Sequence, residues 1–266
     1  MIRKEKNGVI WYEFEHMAQT GLIDHCFSTR IGGVSTAPQD TMNLAYHMND
    51  RVEAVEENFR RMGAAIGFDP EKVIRTRQIH ENHLQVMTAD NDVVADGIDG
   101  LVTAKPDLVL TSYYADCVPL LFLDPKKSVI ANSHAGWRGT SMNMAATTIQ
   151  KMVDLGCCSE DILVGIGPCI SMEHFEVGKE VALTFEENLP QLSSHMKKKN
   201  SEKWHLDLTA MNRQLLNEAG IPVKNIEVAN LCTFSDGLHF FSHRRDGTAR
   251  GNMAAMIVLK SDRYKK

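Results

Sequence analysis

Cys117 and His134 flank two short apolar runs, Val118–Leu123 and Ser128–Asn132, joined by Asp124-Pro125-Lys126-Lys127. Such a pattern predicts two buried strands paired as a hairpin, whose open ends share one sheet edge. A thiol at the start of the first strand and an imidazole just past the second are then neighbours in space. Behind His134, Ala135-Gly136-Trp137-Arg138-Gly139-Thr140 brings a tight glycine turn, an aromatic ring and a cation, and leads into a predicted helix from Thr140 to Leu155. His80, at the end of a strand predicted over Val73–Gln78, is a third donor. His80, Cys117 and His134 would give zinc a tetrahedron with one vacant corner, the arrangement of catalytic rather than structural zinc. The same donors can hold copper. Zinc lowers the pKa of bound water to about 7, which supplies hydroxide near neutrality. Spacing alone does not separate this reading from coincidence, and a Cys117–His134 nucleophilic pair is the other chemistry on offer.

The elements needed to hold these groups can be read from pattern. Strands are predicted at Val9–Phe14, His25–Thr29, Leu84–Thr88, Leu108–Ser112, Ile162–Ile166, Asn225–Leu231 and Gly251–Leu259. Asn49-Asp50 can cap a helix over Arg51–Ile66, whose Val52, Val55, Phe59 and Met62 fall at helical spacing. Further helices are predicted at Phe175–Leu189 and at His205–Ala219, the latter with Leu206, Leu208, Met211 and Leu215 inward and ended by Gly220 and Pro222. Asp90–Asp96 reads as an acidic loop and Gln191–Lys203 as a polar excursion within one domain spanning 1–266. Irregular alternation of strands and helices fits a layered α/β fold. Asp116, next to Cys117, reads either as a partner orienting a ligand or as a turn cap. Arg30, before the glycine pair Gly32-Gly33, reads either as part of a surface turn or as an anion-binding fork.

Bulk properties remove several classes of function. The chain has 266 residues, 43% of them hydrophobic, enough for a full core. With 29 basic and 34 acidic residues the net charge is -5, which offers no basic face to nucleic acid. No apolar run approaches the ~18 residues of a membrane span. The N-terminal segment lacks the apolar stretch of a signal peptide, so six cysteines imply reduced thiols and a cytoplasmic location. The sequence contains no G-x-x-x-x-G-K-[ST], H-E-x-x-H or G-x-S-x-G motif. Pro168-Cys169 is followed by Ile170-Ser171-Met172, which breaks the zinc deaminase pattern.

Six blocks occur in the order of one known family: Thr29–Ser35 (TRIGGVS), Gln78-Ile79-His80, Ala115–Pro119 (ADCVP), His134–Thr140 (HAGWRGT), Ile166-Gly167-Pro168 and Phe241–Asp246 (FSHRRD). On these the chain resembles the bacterial YfiH/YlmD proteins, labelled laccase-domain or polyphenol oxidase proteins and related to mammalian FAMIN. The resemblance implies an α/β/β/α sandwich, zinc on His80, Cys117 and His134, and purine nucleoside chemistry. The implied reactions are phosphorolysis of adenosine, inosine, guanosine and S-methyl-5'-thioadenosine, and adenosine deamination. Arg138 and Arg30 would then bind anion or nucleoside, Asn43 ribose or base, and Arg244 and Arg245 would be further candidates. The competing readings of Arg244-Arg245 and Trp137 are a turn closed through Asp246 and core packing. His243 stands where the family often has Tyr, and Thr248-Ala249-Arg250 where it usually has Thr-Gly-Arg. A copper phenol oxidase, a Cys-His hydrolase and a non-enzymatic zinc scaffold are the rival readings.

Overall fold

The computed structural model describes residues 1–88 and 94–261. Its strands, numbered in chain order, fall into two large sheets and one small one. The first large sheet takes β1 (Ile2–Lys6), β2 (Val9–Glu13), β3 (Ile23–Ser28), β4 (Val73–Arg77), β6 (Val94–Asp96), β8 (Val109–Tyr114) and β16 (Met253–Leu259). Their spatial order is β1-β2-β3-β16-β8-β4-β6. The second takes β5 (Leu84–Val86), β7 (Gly100–Thr103), β9 (Val118–Asp124), β10 (Val129–Ala135), β11 (Leu163–Ile166) and β15 (Ile226–Val228). Here the order is β15-β11-β9-β10-β7-β5. A small sheet joins β12 (Glu176–Gly178), β13 (Met196–Lys198) and β14 (Lys203–Leu206) around a central β14. The helices are α1 (Glu15–Ala18), α2 (Val52–Ile66), α3 (Trp137–Ser141), α4 (Met144–Asp154), α5 (Lys179–Asn188), α6 (Leu208–Glu218) and α7 (His243–Asp246).

The large sheets face each other, with Phe27, Leu110 and Ile257 of one packed among Leu121, Leu123 and Ile130 of the other. Helix α2 covers the outer face of the first through Val55, Phe59 and Met62. Helices α4 and α6 cover the second, where Ile149, Met152 and Leu215 meet Leu120 and Phe122. The result is the expected α/β/β/α sandwich. Strands β9 and β10 are buried on both faces, which explains why they read as continuous apolar runs instead of alternating. Each large side chain enclosed there contributes roughly 1.5–3 kcal/mol. One polar tie crosses the sandwich beside His134. Buried Asn132 on β10 donates to the carbonyls of Leu110 (3.0 Å) and Ala255 (2.8 Å) and accepts from the Tyr114 hydroxyl (3.2 Å).

Several elements differ from the sequence expectation. Val52 is exposed, and α2 begins after Arg51 with no side-chain cap; Asp50 accepts from the adjacent Arg51 N–H and from Asn43 Nδ2, and caps no N–H inside the helix. The helix expected from Thr140 begins at Trp137 and is broken at Asn143, whose positive φ of 57° and capping bond to Ala146 N start α4 afresh. Strand β10 runs through His134 and does not stop short of it. The segments expected as the first turn of a helix at Phe175 and as an irregular excursion at Gln191–Lys203 contain the small sheet. There Val177 pairs with Trp204, and Lys198 with Trp204 from the other side. Leu206 belongs to β14, and α6 starts behind an Asp207 cap that accepts from Ala210 N. The acidic stretch Asp90–Asp96 was expected as a loop. Its residues 90–93 lie outside the described residues, and Val94–Asp96 pairs in parallel with β4. All six cysteines are free, Cys157 buried and Cys158 exposed.

Candidate metal centre

The β9–β10 register pairs Pro119 with His134 and Val118 with Ala135, so Cys117, one residue before β9, comes up against the end of β10. His80 arrives from the turn that follows β4, at a positive φ of 64°. The donor atoms of His80, Cys117 and His134 all lie within 4.8 Å of one another. The two imidazoles meet edge to face at 4.8 Å between centroids. Gly136 seals the cluster from above. A Cβ at that position would lie 3.2 Å from the Cys117 sulfur and 3.5 Å from both rings, so any side chain there would touch both rings and crowd the sulfur by a few tenths of an ångström.

Asp99 organises two of the three donors. It is fully buried, and its carboxylate lies 2.9 Å from His134 Nδ1. The same carboxylate accepts from the backbone N–H groups of Ile79 (3.1 Å), His80 (3.0 Å) and Glu81 (3.1 Å). The Asp99 carbonyl in turn accepts from His134 N at 2.7 Å. A carboxylate on Nδ1 fixes the tautomer that turns Nε2 toward a metal. Asp116 does not take part in this. Its carboxylate accepts from Thr233 Oγ1 (2.6 Å), Ser242 Oγ (3.0 Å) and Arg244 N (2.7 Å), anchoring the C-terminal block beside the start of β9.

Burial by itself would push the Cys117 thiol up. The charge and hydrogen bonds of His134 and His80 outweigh it and hold the thiol down at about 6. Burial disfavours the His134 cation too, yet the Cys117 thiolate and Asp99 raise that ring to about 9. Asp99 is held below the ordinary carboxylate value. Its burial is outweighed by His134 and the backbone donors. The thiol therefore favours the thiolate, the form that binds metal. A thiolate, an imidazole of fixed tautomer and a second imidazole, under a glycine that leaves space, fit a zinc or copper ion.

The cluster lies at the waist of two cavities. One, of about 440 Å³, is lined by His47, Arg75, Arg77, Tyr113 and Arg250, among others. The other, of about 470 Å³, is lined by Trp137, Ile170, Phe175, Leu208 and Arg244, among others. His80, Cys117, Ala115 and Arg250 border both. Of the five polar residues expected around the metal, Arg244 alone is among the residues that line these two cavities. It donates to the carbonyls of His174 and Glu176 and lies over the Phe175 ring at 5.4 Å. Arg30 is engaged with Asp40, the Gly237 carbonyl and the Phe241 ring. Asn43 is fully buried and bonded to Ala45, Asp50 and the Asn252 N–H. Arg245 holds the carbonyls of Thr233, Phe234 and Phe240 and pairs with Asp246, which makes it the closed turn. Arg138 is exposed and stacks 4.4 Å over Trp137, itself half-buried at a cavity wall. Arg75, Arg77 and Asp99 escaped the sequence reading, and Arg250 entered it only as the end of the Thr248-Ala249-Arg250 departure from the family pattern. For Arg75 and Arg77 the signal was their alternation with Ile74 and Thr76 along β4.

A facing pair of sheets with an imidazole–thiolate–imidazole cluster at the mouth of its central hairpin defines a YfiH-type protein. The crystal structure of hypothetical protein YfiH from Bacillus licheniformis matches with a TM-score of 0.91 at 31% identity, over 97% of this chain and 99% of that one. The chain belongs to the family described as multi-copper polyphenol oxidoreductase laccase, whose model matches residues 24–260. It is also similar to proteins named purine nucleoside phosphorylase. The one from Deinococcus radiodurans is 39% identical over 237 residues, covering 89% of each chain. The one from Bacteroides thetaiotaomicron is 32% identical over 258 residues, covering 92% of this chain and 95% of that one.

Proposed function

We propose that this chain is a cytoplasmic, single-domain purine nucleoside phosphorylase that carries zinc on His80, Cys117 and His134. The observation that carries the reading is the position of the cluster, between a cationic cavity and an aromatic one. Phosphorolysis joins an anion to C1′ of a ribose while a flat base departs, and the two walls suit the two partners. The names of the relatives support the same reaction. When bound, zinc would supply a Lewis acid and a hydroxide source near neutral pH. The protein groups do the rest. Asp99 keeps His134 in one tautomer, Phe175 and Trp137 offer faces to a purine, and Arg244 borders that face. Arg138 serves at the rim. Arg30, Asn43 and Arg245 act from behind, holding the segments that carry the walls. Substrates are adenosine, inosine, guanosine and S-methyl-5'-thioadenosine, with adenosine deamination as a side activity of the same centre.

Incubation with adenosine and phosphate, with products separated chromatographically, tests this directly. Adenine marks phosphorolysis, inosine marks deamination, and hypoxanthine marks both in succession. Cys117→Ala should reduce bound metal to background and abolish every product. Turnover that survives loss of the metal sinks the assignment.

The family description supplies a second reading, a copper phenol oxidase. Among the described residues the donors form a single cluster of three. Four-electron reduction of oxygen requires separate mononuclear and trinuclear copper sites, so phosphorolysis fits these donors better. Metal analysis and a phenol-oxidation assay distinguish the two.

A further inference from the structure

Arg250 borders both cavities, and its Nε is buried without a hydrogen-bond partner. Its NH1 is engaged with the Gly251 carbonyl and the Asn252 side chain. Tyr113 lines the cationic cavity, is 5% exposed, and its hydroxyl also lacks a partner. Buried polar groups are ordinarily paired, so two unpaired donors on residues that line one cavity point to an acceptor that the described residues do not supply. The charges agree. Arg75 lies over the Tyr46 ring, its guanidinium carbon 4.3 Å from the ring centroid, and among the described residues it has no carboxylate partner. Arg77 reaches the same cavity, and its partner Asp96 is 3.4 Å away on an exposed surface. Among the described residues no carboxylate lines this cavity, and neither Arg75 nor Arg250 pairs with one. Enclosing several cations without an acid between them is unfavourable unless an anion completes the group.

We propose that Arg75, Arg250 and Tyr113, with Arg77 at the entrance, form the subsite that binds inorganic phosphate, across the metal cluster from a purine-binding wall of Phe175 and Trp137. This deepens the phosphorylase reading and rests on it. With ribose at the waist, phosphate and base sit on opposite faces of C1′. A phosphate oxygen supplies the electron pair of the new C1′–O bond. The C1′–N9 pair leaves on the purine, which takes up a proton from solvent. Guanidinium forks match phosphate oxygens, and Arg250, bordering both cavities, is placed to follow the charge as it shifts.

The test is steady-state kinetics on the metal-loaded protein, varying phosphate and nucleoside separately, with calorimetric titration of inorganic phosphate alone. Arg250→Gln and Arg75→Gln should each raise the phosphate KM roughly 10–100-fold, the loss of one charge-assisted bond, and leave the nucleoside KM within about threefold. Tyr113→Phe should raise the phosphate KM severalfold without loss of thermal stability, which separates binding from folding. A rise in nucleoside KM with unchanged phosphate KM overturns the assignment. So does a cavity that binds a nucleoside 5′-monophosphate in an Arg250-dependent way but not inorganic phosphate. If the wild-type protein shows no phosphorolysis but binds phosphate through Arg250, the subsite stands and the phosphorylase reading falls.

Discussion

Two buried carboxylates lie close to the candidate metal centre, and they do opposite jobs. Asp116 is adjacent to Cys117 in the chain, but its oxygens hold Thr233, Ser242 and Arg244 of the C-terminal block. Asp99 is 35 residues from His134, yet it bonds that ring and three successive amides of the His80 turn. One carboxylate fixes the donors and the other fixes a wall of the aromatic cavity. Proximity along the chain therefore says little about which acid orients a ligand. What decides it is which donors the fold turns toward each acid.

The largest effect should come from Asp99→Ala. The change leaves buried His134 Nδ1 and the three amides of the His80 turn without their acceptor, and removing the buried partner of such a charged pair costs about 3–5 kcal/mol. Metal affinity should drop roughly 10–100-fold, the usual consequence of losing a group that orients a ligand. Competition with a chromophoric chelator measures the second effect and urea denaturation the first. An unchanged metal affinity would mean that His134 needs no carboxylate, and the distinction between the two acids would disappear.

A third buried polar group sharpens the comparison, because it is kept neutral where Asp99 is kept charged. His25 is 3% exposed and accepts from Phe14 N at 2.8 Å through Nε2. Burial first, then the charge of His16, lowers its pKa to about 3. The unfolded chain takes up that proton below about 6.5, while the fold resists it until about 3. This contribution is whole above pH 6.5 and is lost as pH falls toward 3. Between pH 6.5 and 4 it amounts to on the order of 3 kcal/mol. Urea melts across that range should show His25→Gln with a flatter acid slope than wild type, whatever the state of the metal. Equal slopes would show that the ring is protonated in the fold.

How much of this was legible in the sequence depended on what held each residue. The β9–β10 hairpin could be read because both strands are buried on two faces and the turn between them is polar. Asp124 closes that turn through Lys126 N and Lys127 N. Cys117 and His134 followed from the hairpin, whereas His80 became a firm candidate only through the family resemblance. Asp99 was illegible because its partners are backbone amides of a turn with positive φ, which leave no periodic trace. Arg30, Asn43 and Arg245 were expected as ligand-binding groups, Arg30 from its place before a glycine turn and all three from the family resemblance. The fold uses them on its own carbonyls, carboxylates and amides, and such partners cannot be seen without the tertiary structure. The small sheet was missed because its strands are three or four residues long, and two of them, Met196–Lys198 and Lys203–Leu206, carry lysines that read as a polar loop.

The smallest expected effect, and the one that completes the comparison, is that of Asp116→Asn. The amide keeps one acceptor oxygen and turns an N–H₂ toward groups that already donate, so one or two of three bonds are lost, at about 1–3 kcal/mol. Metal affinity should stay at the wild-type level, because none of those bonds reaches His80 or His134. Arg244 N shares Oδ2 with Ser242 and loses its acceptor when the amide nitrogen takes that place; the Arg244 side chain borders the aromatic cavity, so in that orientation nucleoside KM should rise while phosphate KM holds. If Asp116→Asn instead weakened metal binding as much as Asp99→Ala, the C-terminal block would be part of the donor scaffold. The division between an acid for the metal and an acid for the wall would then be wrong.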